Sequence, residues 1–285
     1  MLSKAVILCG GLATRQLPIT KSIPKEMLPL GNRPAIDYCI EDLKNNGITD
    51  ILIILGRNKE SIESYYDRNI ELEDRLTEQN KQKELELISN YKDINISFIR
   101  QINARGTGYA TSLAKNFVGS DDFILIYPDD LLIGNSYARQ LINIYNQVGT
   151  NIIPLQEINI NNCHKYGMVG VQRYNNFFKI TNFIEKPSLQ ECPSNICYTG
   201  GGIFSHKIFK LLTNTPIHTN GEQYLTDIFS QLIRSNTLYG TLMFGTRLDV
   251  GTPLDFIKSN ILIGLNDISM RDSLLKFMNL HTKKD

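Results

Sequence analysis

The residues best suited to chemistry lie in the first part of the chain. Gly10 and Gly11 follow a short apolar run, and three cationic residues, Arg15, Lys21 and Lys25, come within the same segment. Backbone N–H groups of paired glycines bind anionic oxygens at close range, because no Cβ is in the way. Arginine and lysine side chains add charge-assisted hydrogen bonds to such a ligand. The segment therefore predicts a site for a ligand that carries several negative charges.

Two well-known glycine loops do not match this segment. A dinucleotide fingerprint needs the spacing G-x-G-x-x-G, and a Walker A loop needs G-x-x-x-x-G-K-[ST]. Residues 10 to 15 have the sequence GGLATR, and no lysine follows a second glycine at the Walker A spacing. The mismatch weakens the hypothesis of a nucleotide-dependent oxidoreductase.

A pair of carboxylates follows another apolar run. Residues 123 to 127 are apolar and lead through Pro128 to Asp129 and Asp130. Two carboxylates at the end of a strand suit a hard cation such as Mg²⁺, which takes few protein oxygens and keeps phosphate oxygens as its other ligands. Asp-Asp turns without a metal ion are also common, so the pattern alone leaves both interpretations open.

A glutamine and a glycine turn follow a third predicted strand. Gln101 comes directly after residues 94 to 100, and Gly106 opens a Gly-Thr-Gly turn that predicts a helix through Asn116. A glutamine amide offers a donor and an acceptor, which suits a pyrimidine edge, and glycine lets a base approach the main chain. A simple glycine helix start is an equally good interpretation.

All of these residues lie at the ends of predicted strands. Short apolar runs predict buried strands, and amphipathic stretches predict helices between them. The predicted strands are residues 5 to 9, 48 to 55, 94 to 100 and 123 to 127, and the predicted helices are residues 34 to 46, 59 to 66 and 106 to 116. This alternation predicts an α/β fold with a doubly wound, mostly parallel sheet, helices on both faces and a ligand site at the carboxyl ends of the strands.

From about residue 150 the predicted elements become shorter and richer in strands. The predicted strands are residues 165 to 171, 177 to 184, 198 to 204 and 242 to 248, and the predicted helices are residues 221 to 233, 253 to 263 and 269 to 280. Before this region, Glu71 to Asn90 predicts a polar helical excursion on the surface. A smaller β-rich lobe is therefore expected beside the parallel sheet.

Composition restricts the location of the protein and its partners. With 285 residues and 42% hydrophobic content, the chain can bury one large core, or one core with a smaller lobe. A formal net charge of +1 provides no overall field that would recruit nucleic acid or an anionic membrane. The five irregularly spaced cysteines fit reduced thiols, and no apolar run approaches the length of a membrane span, so a cytoplasmic protein is expected.

The opening segment resembles the G-x-G-T-R…P-K signature of the sugar-1-phosphate nucleotidyltransferases. Within that superfamily, Pro24 to Pro29 (PKEMLP) resembles the form in bacterial-type UTP–glucose-1-phosphate uridylyltransferases, and the excursion at Glu71 to Asn90 is typical of the same branch. Ala13 departs from the signature, which usually has its last glycine there. The resemblance extends from about residue 4 to the mid-260s and implies a Rossmann-like fold.

The resemblance implies a single domain, residues 1 to 285, with two functional halves. The nucleotide-binding half covers about residues 1 to 150, the sugar-phosphate-binding half about residues 151 to 252, and C-terminal helices occupy residues 253 to 285. The resemblance also implies a homo-oligomer, either a dimer or a tetramer.

The same resemblance assigns roles to particular residues. The nucleotide-binding residues are Gly10, Gly11, Leu12, Arg15, Lys25, Gln101 and Gly106. The sugar-phosphate-binding residues are Gly167, Glu185, Lys186 and Gly200, where Glu185 would bind sugar hydroxyls and Lys186 the phosphate. Mg²⁺ would be held by Asp129 and Asp249, and the residues with catalytic roles are Arg15, Lys25, Lys186 and Asp129.

The implied reaction makes UDP-glucose and pyrophosphate from UTP and glucose 1-phosphate. It needs no covalent intermediate, because a sugar-phosphate oxygen attacks the α-phosphorus in line. Two alternatives stay open at this point. One is a related thymidylyl- or cytidylyltransferase, and the other is a catalytically silent nucleotide-binding regulator, which is motivated by Ala13.

Overall fold

The computed structural model describes residues 2–89 and 91–282. Its strands are β1 (Lys4–Cys9), β2 (Pro29–Leu30), β3 (Arg33–Pro34), β4 (Asp50–Leu55), β5 (Asn95–Arg100), β6 (Phe123–Ile126), β7 (Asp130–Ile133), β8 (Asn151–Glu157), β9 (Gly167–Tyr174), β10 (Phe177–Glu185), β11 (Ile196–Tyr198), β12 (Gly202–Phe204), β13 (Leu238–Leu242) and β14 (Thr246–Asp249).

The α-helices are α1 (Ala35–Lys44), α2 (Glu60–Tyr66), α3 (Ile70–Glu78), α4 (Gln82–Ile88), α5 (Gly106–Ser112), α6 (Lys115–Val118), α7 (Tyr137–Val148), α8 (Ile208–Leu212), α9 (Phe229–Arg234), α10 (Pro253–Asn266) and α11 (Ile268–Thr282). Short 3-10 helices cover Thr14–Gln16, Ile19–Lys21, Lys25–Met27, Ile160–Lys165 and Leu225–Ile228. Asn90 and residues 283–285, which belong to the predicted excursion and C-terminal helices, lie outside the described residues.

Within the described residues, ten strands form one sheet in the order β11-β9-β10-β13-β8-β12-β6-β1-β4-β5. Strands β6, β1, β4 and β5 are parallel to one another. In the rest of the sheet β8 and β13 are parallel, and the other neighbouring pairs are antiparallel. This is the predicted Rossmann-like α/β architecture, but "mostly parallel" describes only its first half.

The core lies on both faces of this sheet. Strand β1 has apolar residues at successive positions because both of its faces are buried. Ala5 and Ile7 belong to the core on one face of the sheet, and Val6 belongs to the core on the other. Strand β1 lies between β4 and β6, and strand order reverses at this position. The carboxyl ends of β1 and β6 therefore meet where open α/β sheets bind their ligands.

Two predicted strands are wrong because glycines divide them. The segment from 198 to 204 forms β11 and β12, with Gly200 and Gly201 between them at φ values of +108° and +70°. The segment from 242 to 248 is divided near Gly245, which has a φ of +135°. Left-handed backbone of this kind is not compatible with a continuous strand.

Strands β7 and β14 form a separate two-stranded antiparallel ribbon. The sequence patterns did not predict β7. In the ribbon Asp249 lies opposite Asp130, and the backbone N–H of Val250 donates a hydrogen bond to the carbonyl of Asp129 at 3.1 Å. The ribbon thus joins the end of β6 to a segment more than one hundred residues later in the chain.

The C-terminal helices pack together but leave apolar side chains in solvent. Helix α10 continues past the predicted end at residue 263, and a Cβ on Gly264 would lie 2.9 Å from Leu274 in α11, so this glycine permits close helix packing. In α11, Ile268, Phe277 and Leu280 are exposed. Of the helices in residues 2–89 and 91–282, none combines the length and the apolarity that crossing a bilayer would need.

Candidate active site

The glycine turn after β1 is in direct contact with the side chain that ends β5. A Cβ on Gly10 would lie 1.6 Å from Nε2 of Gln101, so only glycine permits this contact. The Gln101 side chain is 5% exposed, and its Oε1 is buried without a hydrogen-bond partner. Such an atom is costly to bury unless a ligand supplies the missing donor. The structure therefore brings Gly10 and Gln101 together, as the sequence predicted.

Ala13, which stands where the signature usually has glycine, adopts a left-handed backbone conformation. Its φ and ψ are 53° and 37°, and its carbonyl accepts a hydrogen bond from Oγ1 of Thr20 at 2.9 Å. Left-handed backbone costs a non-glycine residue roughly 1–2 kcal/mol. The alanine at this position is thus accommodated with backbone strain.

Lys25 and Asp129 form an ion pair across the glycine turn. Nζ of Lys25 lies 2.5 Å from Oδ2 of Asp129, and a Cβ on Gly11 would be 3.9 Å from the same Nζ. Burial raises the pKa of Asp129, but the charge and hydrogen bond of Lys25 outweigh it, so the net shift is downward. Burial lowers the pKa of Lys25, but Asp129 and Glu26 raise it by more. Both groups are therefore charged at neutral pH.

The ribbon brings the second predicted aspartate to the same place. Asp249 lies opposite Asp130 in the ribbon, and its Oδ1 accepts a hydrogen bond from the Gly251 N–H at 2.6 Å. A Cβ on Gly251 would lie 2.7 Å from Nη2 of Arg15 and 2.8 Å from Oδ1 of Asp249. Arg15, Asp129 and Asp249 are thus neighbours around the end of the ribbon.

The two aspartates have the chemistry of a magnesium site. Within the described residues, no group of three or more His, Cys, Asp or Glu side chains is placed to hold a metal ion. Mg²⁺ does not require such a cage, because it is commonly held by one or two carboxylates together with substrate phosphates. The hard oxygen donors of Asp129 and Asp249, beside a cationic loop, fit this pattern.

Gly106 shapes the side of the site opposite the glycine turn. Its φ is +85°, and a Cβ would lie 2.5 Å from the carbonyl oxygen of Gln223. The backbone of Gln223 bonds to the same turn twice, donating to the carbonyl of Arg105 and accepting from the N–H of Gly108, each at 2.8 Å. The loop before Leu225 is therefore fixed against the start of α5.

Together these elements form one cleft of about 430 Å³. Of the predicted nucleotide-binding residues, those that line it are Gly10, Gly11, Leu12, Lys25, Gln101 and Gly106, and Asp129 lines it as well. Arg15 does not line this cleft but stands next to it, after Thr14, with its side chain exposed to solvent. The volume is within the range of small-molecule binding sites.

The predicted sugar-phosphate residues fall into two places. Gly167 lies opposite Glu185 in the β9–β10 pairing, and a Cβ on it would lie 3.0 Å from Oε2 of Glu185. Gly200 is elsewhere, against Tyr127, with 2.6 Å between its hypothetical Cβ and the ring. Tyr127 also lines the cleft, so Gly200 lies directly behind the cleft wall. The side of the cleft is not formed by Gly167, Glu185 or Lys186.

Lys186 has an unusual backbone and an exposed side chain. Its φ is 48°, a left-handed value that is uncommon for a non-glycine residue. Its N–H donates to the carbonyl of Tyr166 at 3.0 Å, while its Nζ lies 3.9 Å from Oε1 of Glu185. Strained backbone concentrates at functional positions, where surrounding structure holds it in place. The lysine side chain is 63% exposed and can reach a ligand.

Comparison with known proteins agrees with this geometry. The nucleotidyl transferase family model matches residues 4–264. The chain belongs to the nucleotidyl transferase family. It is 36% identical to the UTP–glucose-1-phosphate uridylyltransferase YngB of Bacillus subtilis (strain 168), in an alignment that covers 99% of this chain and 96% of that protein. It is 36% identical, over 97% of each chain, to the UTP–glucose-1-phosphate uridylyltransferase 2 of Staphylococcus saprophyticus.

Solved structures give the same family assignment. The UTP-bound UGPase from Acinetobacter baumannii is 33% identical and superposes with a TM-score of 0.90, over 99% of this chain and 100% of that one. A UDP-glucose pyrophosphorylase in complex with UDP-glucose is 30% identical, with a TM-score of 0.82 over 91% of this chain and 97% of that one. This nucleotidyl transferase therefore shares the whole fold of these proteins.

Several residues at this nucleotidyl transferase's cleft were not predicted. Thr107, Tyr127, Glu222 and Tyr224 line it. Oε2 of Glu222 accepts hydrogen bonds from the Tyr224 hydroxyl at 2.6 Å and from Nδ2 of Asn220 at 3.3 Å. The G-E-x-x-L-T-D pattern at residues 221 to 227 was the available signal, but it carries no information on which side chain faces the ligand.

Sequence reasoning also missed the partner of Asp130. Nε and Nη2 of Arg247 donate to the two carboxylate oxygens of Asp130 at 2.5 and 2.7 Å. Burial raises the pKa of Asp130 to about 6 despite this ion pair, and the nearby charges of Asp129 and Asp249 add to the shift. Arg247 stands only two residues before Asp249, but nothing in the sequence connects it with residue 130.

Proposed function

We propose that the protein transfers a uridylyl group from UTP to glucose 1-phosphate and releases pyrophosphate and UDP-glucose. One observation carries the proposal: at the switch point of the sheet, a single cleft contains the glycine turn, the unpartnered amide of Gln101, and the Lys25–Asp129 pair. The names of relatives that match almost the whole chain support the same substrates.

The base end of the cleft suits uracil. Oε1 of Gln101 is a buried acceptor that has no partner, and uracil offers one ring N–H between two carbonyl oxygens. The amide N–H₂ of the same side chain can donate to one of those carbonyls. Cytosine could satisfy the same amide through its exocyclic N–H₂ group and its ring N3. The contact therefore fits a pyrimidine edge, and the choice between bases is decided by assaying each NTP.

The cations around the glycine turn oppose the repulsion between the substrates. Two unit charges about 4 Å apart repel by about 4 kcal/mol at an effective dielectric constant of ~20, and two polyanionic substrates present several such pairs. Arg15 and Lys25 bind the triphosphate in this proposal, together with the N–H groups of Gly10 and Gly11. Positioned charges of this kind contribute most of the rate in phosphoryl-type transfers.

We propose that the metal ion used by this protein is Mg²⁺. Nucleotidyl transferases generally use a divalent metal ion, and Asp129 and Asp249 are the residues that would hold it here. When bound, Mg²⁺ supplies positive charge to phosphate oxygens. Lys25 keeps Asp129 ionised, since it lowers the pKa of that carboxyl group.

The sugar phosphate belongs to the second half of the chain. Lys186 binds its phosphate, Glu185 its hydroxyl groups, and Gly167 and Gly200 leave room for the ring. The attacking phosphate oxygen is ionised near neutral pH, because the second pKa of a phosphate monoester is about 6. A general base is therefore unnecessary, and in-line attack on the α-phosphorus proceeds without a covalent enzyme intermediate.

Pyrophosphate release tests the proposal directly. The protein is incubated with each NTP, a panel of sugar 1-phosphates and Mg²⁺, and the expected result is release with UTP and glucose 1-phosphate. Preference for dTTP or CTP would make it a thymidylyl- or cytidylyltransferase, and binding without release would make it a silent regulator. Asp129→Ala and Asp249→Ala should each lower kcat by at least a hundredfold, whereas Asp121→Ala, a change at an exposed carboxylate, should not. A variant at either site position with near-normal kcat would remove that residue from the metal site.

The remaining parts of the proposal concern organisation and location. Residues 1 to 150 serve the nucleotide, residues 151 to 252 the sugar phosphate, and the whole chain forms one domain. The exposed apolar side chains of α11 support a homo-oligomer, a dimer or tetramer, which light scattering of the purified protein can measure. The five free cysteines favour the cytoplasm.

A further inference from the structure

Three carboxylates meet at the open end of the β7–β14 ribbon, and the proposed function uses only two of them. Asp129 immediately precedes β7, Asp130 begins it, and Asp249 lies opposite Asp130 on β14. Asp130 has no part in the nucleotide, sugar or metal sites as proposed. An unpaired charge here would repel the other two carboxylates.

Arg247 occupies both oxygens of this third carboxylate. Its Nε and Nη2 donate to Oδ1 and Oδ2 of Asp130 at 2.5 and 2.7 Å, which is the bidentate geometry of a guanidinium fork. The two side chains are 29% and 19% exposed, so the pair is largely shielded from solvent. The planar guanidinium fixes the direction of the two hydrogen bonds as well as their length, whereas the ammonium group of a lysine would not fix their direction.

The same guanidinium also reaches the main sheet. Its Nη1 donates to Oε1 of Gln156 in β8 at 3.2 Å. Arg247 and Gln156 line one small cavity with Gly200 and Tyr127, and Tyr127 also lines the nucleotide cleft. One side chain therefore connects the ribbon, which contains Asp249 and begins directly after Asp129, to strand β8 of the sugar half.

We propose that Arg247 is a positioning residue for the metal site. Its fork on Asp130 holds β7 and β14 in register, so that Asp129 and Asp249 face one cation, and its bond to Gln156 fixes this ribbon to the ten-stranded sheet. The inference rests on the proposed function in assigning the cation to Asp129 and Asp249. Arg247 touches no reacting atom, and it acts through the two aspartates.

The decisive test is a charge-neutral double variant, Asp130→Leu with Arg247→Met. If Arg247 only cancelled the charge of Asp130, removing both side chains would restore normal behaviour, because buried ion pairs are often replaced by apolar residues without loss of stability. Positioning predicts instead at least a tenfold lower kcat and at least a tenfold higher Mg²⁺ concentration for half-maximal rate. UTP affinity measured in EDTA should change less than twofold, which shows that the cleft is intact.

A second readout does not depend on turnover. Mn²⁺ is titrated into the protein, and free Mn²⁺ is followed by electron paramagnetic resonance; the double variant should bind it at least tenfold more weakly. The matched control, Arg68→Gln with Glu73→Gln, removes an ion pair of the surface excursion and should match the wild type. Arg247→Lys should fall between the wild type and the double variant, because it keeps the charge and loses the fork.

The outcomes separate this inference from the proposed function. A double variant with kcat, Mg²⁺ dependence and Mn²⁺ affinity within twofold of the wild type overturns the positioning role. Should the double variant not fold, Arg247→Lys decides in its place, and unchanged values there overturn it equally. If the wild type releases no pyrophosphate from UTP and glucose 1-phosphate, the proposed function fails, while the Mn²⁺ titration still tests the role of Arg247.

Discussion

Replacing Lys59 with methionine should destabilise the protein strongly. Nζ of Lys59 donates to Oε2 of Glu26 at 2.5 Å, and these residues are 5% and 0% exposed. Oε1 of Glu26 is buried and has no hydrogen-bond partner, so Lys59 is the carboxylate's partner among the described side chains. Methionine keeps most of the aliphatic volume but removes the charge. Breaking a buried pair at one end typically costs about 3–5 kcal/mol, because an uncompensated charge is left behind.

The size of the effect can be measured by two kinds of unfolding. Urea denaturation should show the loss of about 3–5 kcal/mol directly. The entropy of unfolding of a chain this long is roughly 0.6 kcal/mol/K, so the thermal midpoint should fall by about 5–8 °C. Because Glu26 is adjacent to Lys25 in the 3-10 helix Lys25–Met27, KM for UTP should rise as well.

Two companion variants make the Lys59 prediction decisive. The double change Glu26→Leu with Lys59→Met should recover to within about 1 kcal/mol of the wild type, since no charge is left unpaired. Lys258→Met, which removes an exposed pair with Asp255 at 3.7 Å, should alter stability by less than about 0.5 kcal/mol. The reasoning fails if Lys59→Met costs less than about 1 kcal/mol, or if the double variant is as unstable as the single one.

Three further experiments address the strained loop, the sugar-phosphate lysine and pH. Ala13→Gly should stabilise the protein by about 0.5–1 kcal/mol in urea unfolding, because glycine adopts its left-handed φ of 53° without strain; lower stability would contradict this. Lys186→Ala should raise KM for glucose 1-phosphate by about 10- to 150-fold, the value of a charged hydrogen bond of about 1.5–3 kcal/mol, with KM for UTP within twofold, and an unchanged sugar-phosphate KM would remove Lys186 from the site. For glucose 1-phosphate, kcat/KM should fall below about pH 6 as the phosphate takes up a proton and stay level from about pH 7 to 9. The level region is expected because the pKa of Lys25 is raised by Asp129 and Glu26 against the opposing effect of burial, so its charge persists until the pH passes that raised value. A steep decline between pH 7 and 9 would argue against this assignment.

The first half of the fold could be predicted well from sequence because strands β1, β4 and β6 are buried on both faces. The predicted strand 48 to 55 contains the apolar run 51 to 55, and the predicted strand 123 to 127 is apolar throughout. They form β4 and β6 within a few residues of the predicted bounds. The rule that ligands lie at the carboxyl ends of parallel strands then placed Gln101 beside the glycine turn. Its contact with Gly10 follows from that rule and from the length of one side chain.

The second half was predicted less well because its strands are short and their pairings are not local. The Gly200–Gly201 pair that separates β11 from β12 is a recognisable turn signal, and this error was avoidable. The failure to predict the β7–β14 ribbon, in contrast, was not avoidable. Its strands have four residues each, and no periodicity shows that residues 130–133 pair with residues 246–249.

The candidate site shows the same division between local and non-local information. The cationic loop could be inferred from Arg15 and Lys25 alone, since residue type and spacing are sufficient to suggest an anionic ligand. The pairing of Asp129 with Asp249 came from family resemblance, and the structure supplies its physical basis in the ribbon. The contacts of Arg247 and Lys59 depend on side-chain packing and have no counterpart in any pattern.

The late position of β14 has a consequence during protein synthesis. A nascent chain on the ribosome can complete β1, β4, β5 and β6 while Asp249 has yet to be translated. Such an intermediate has the glycine turn that we propose binds the nucleotide, but only one of the two aspartates. Premature termination before codon 249 therefore yields a fragment without the second carboxylate, and the proposed chemistry begins only when the ribbon has closed.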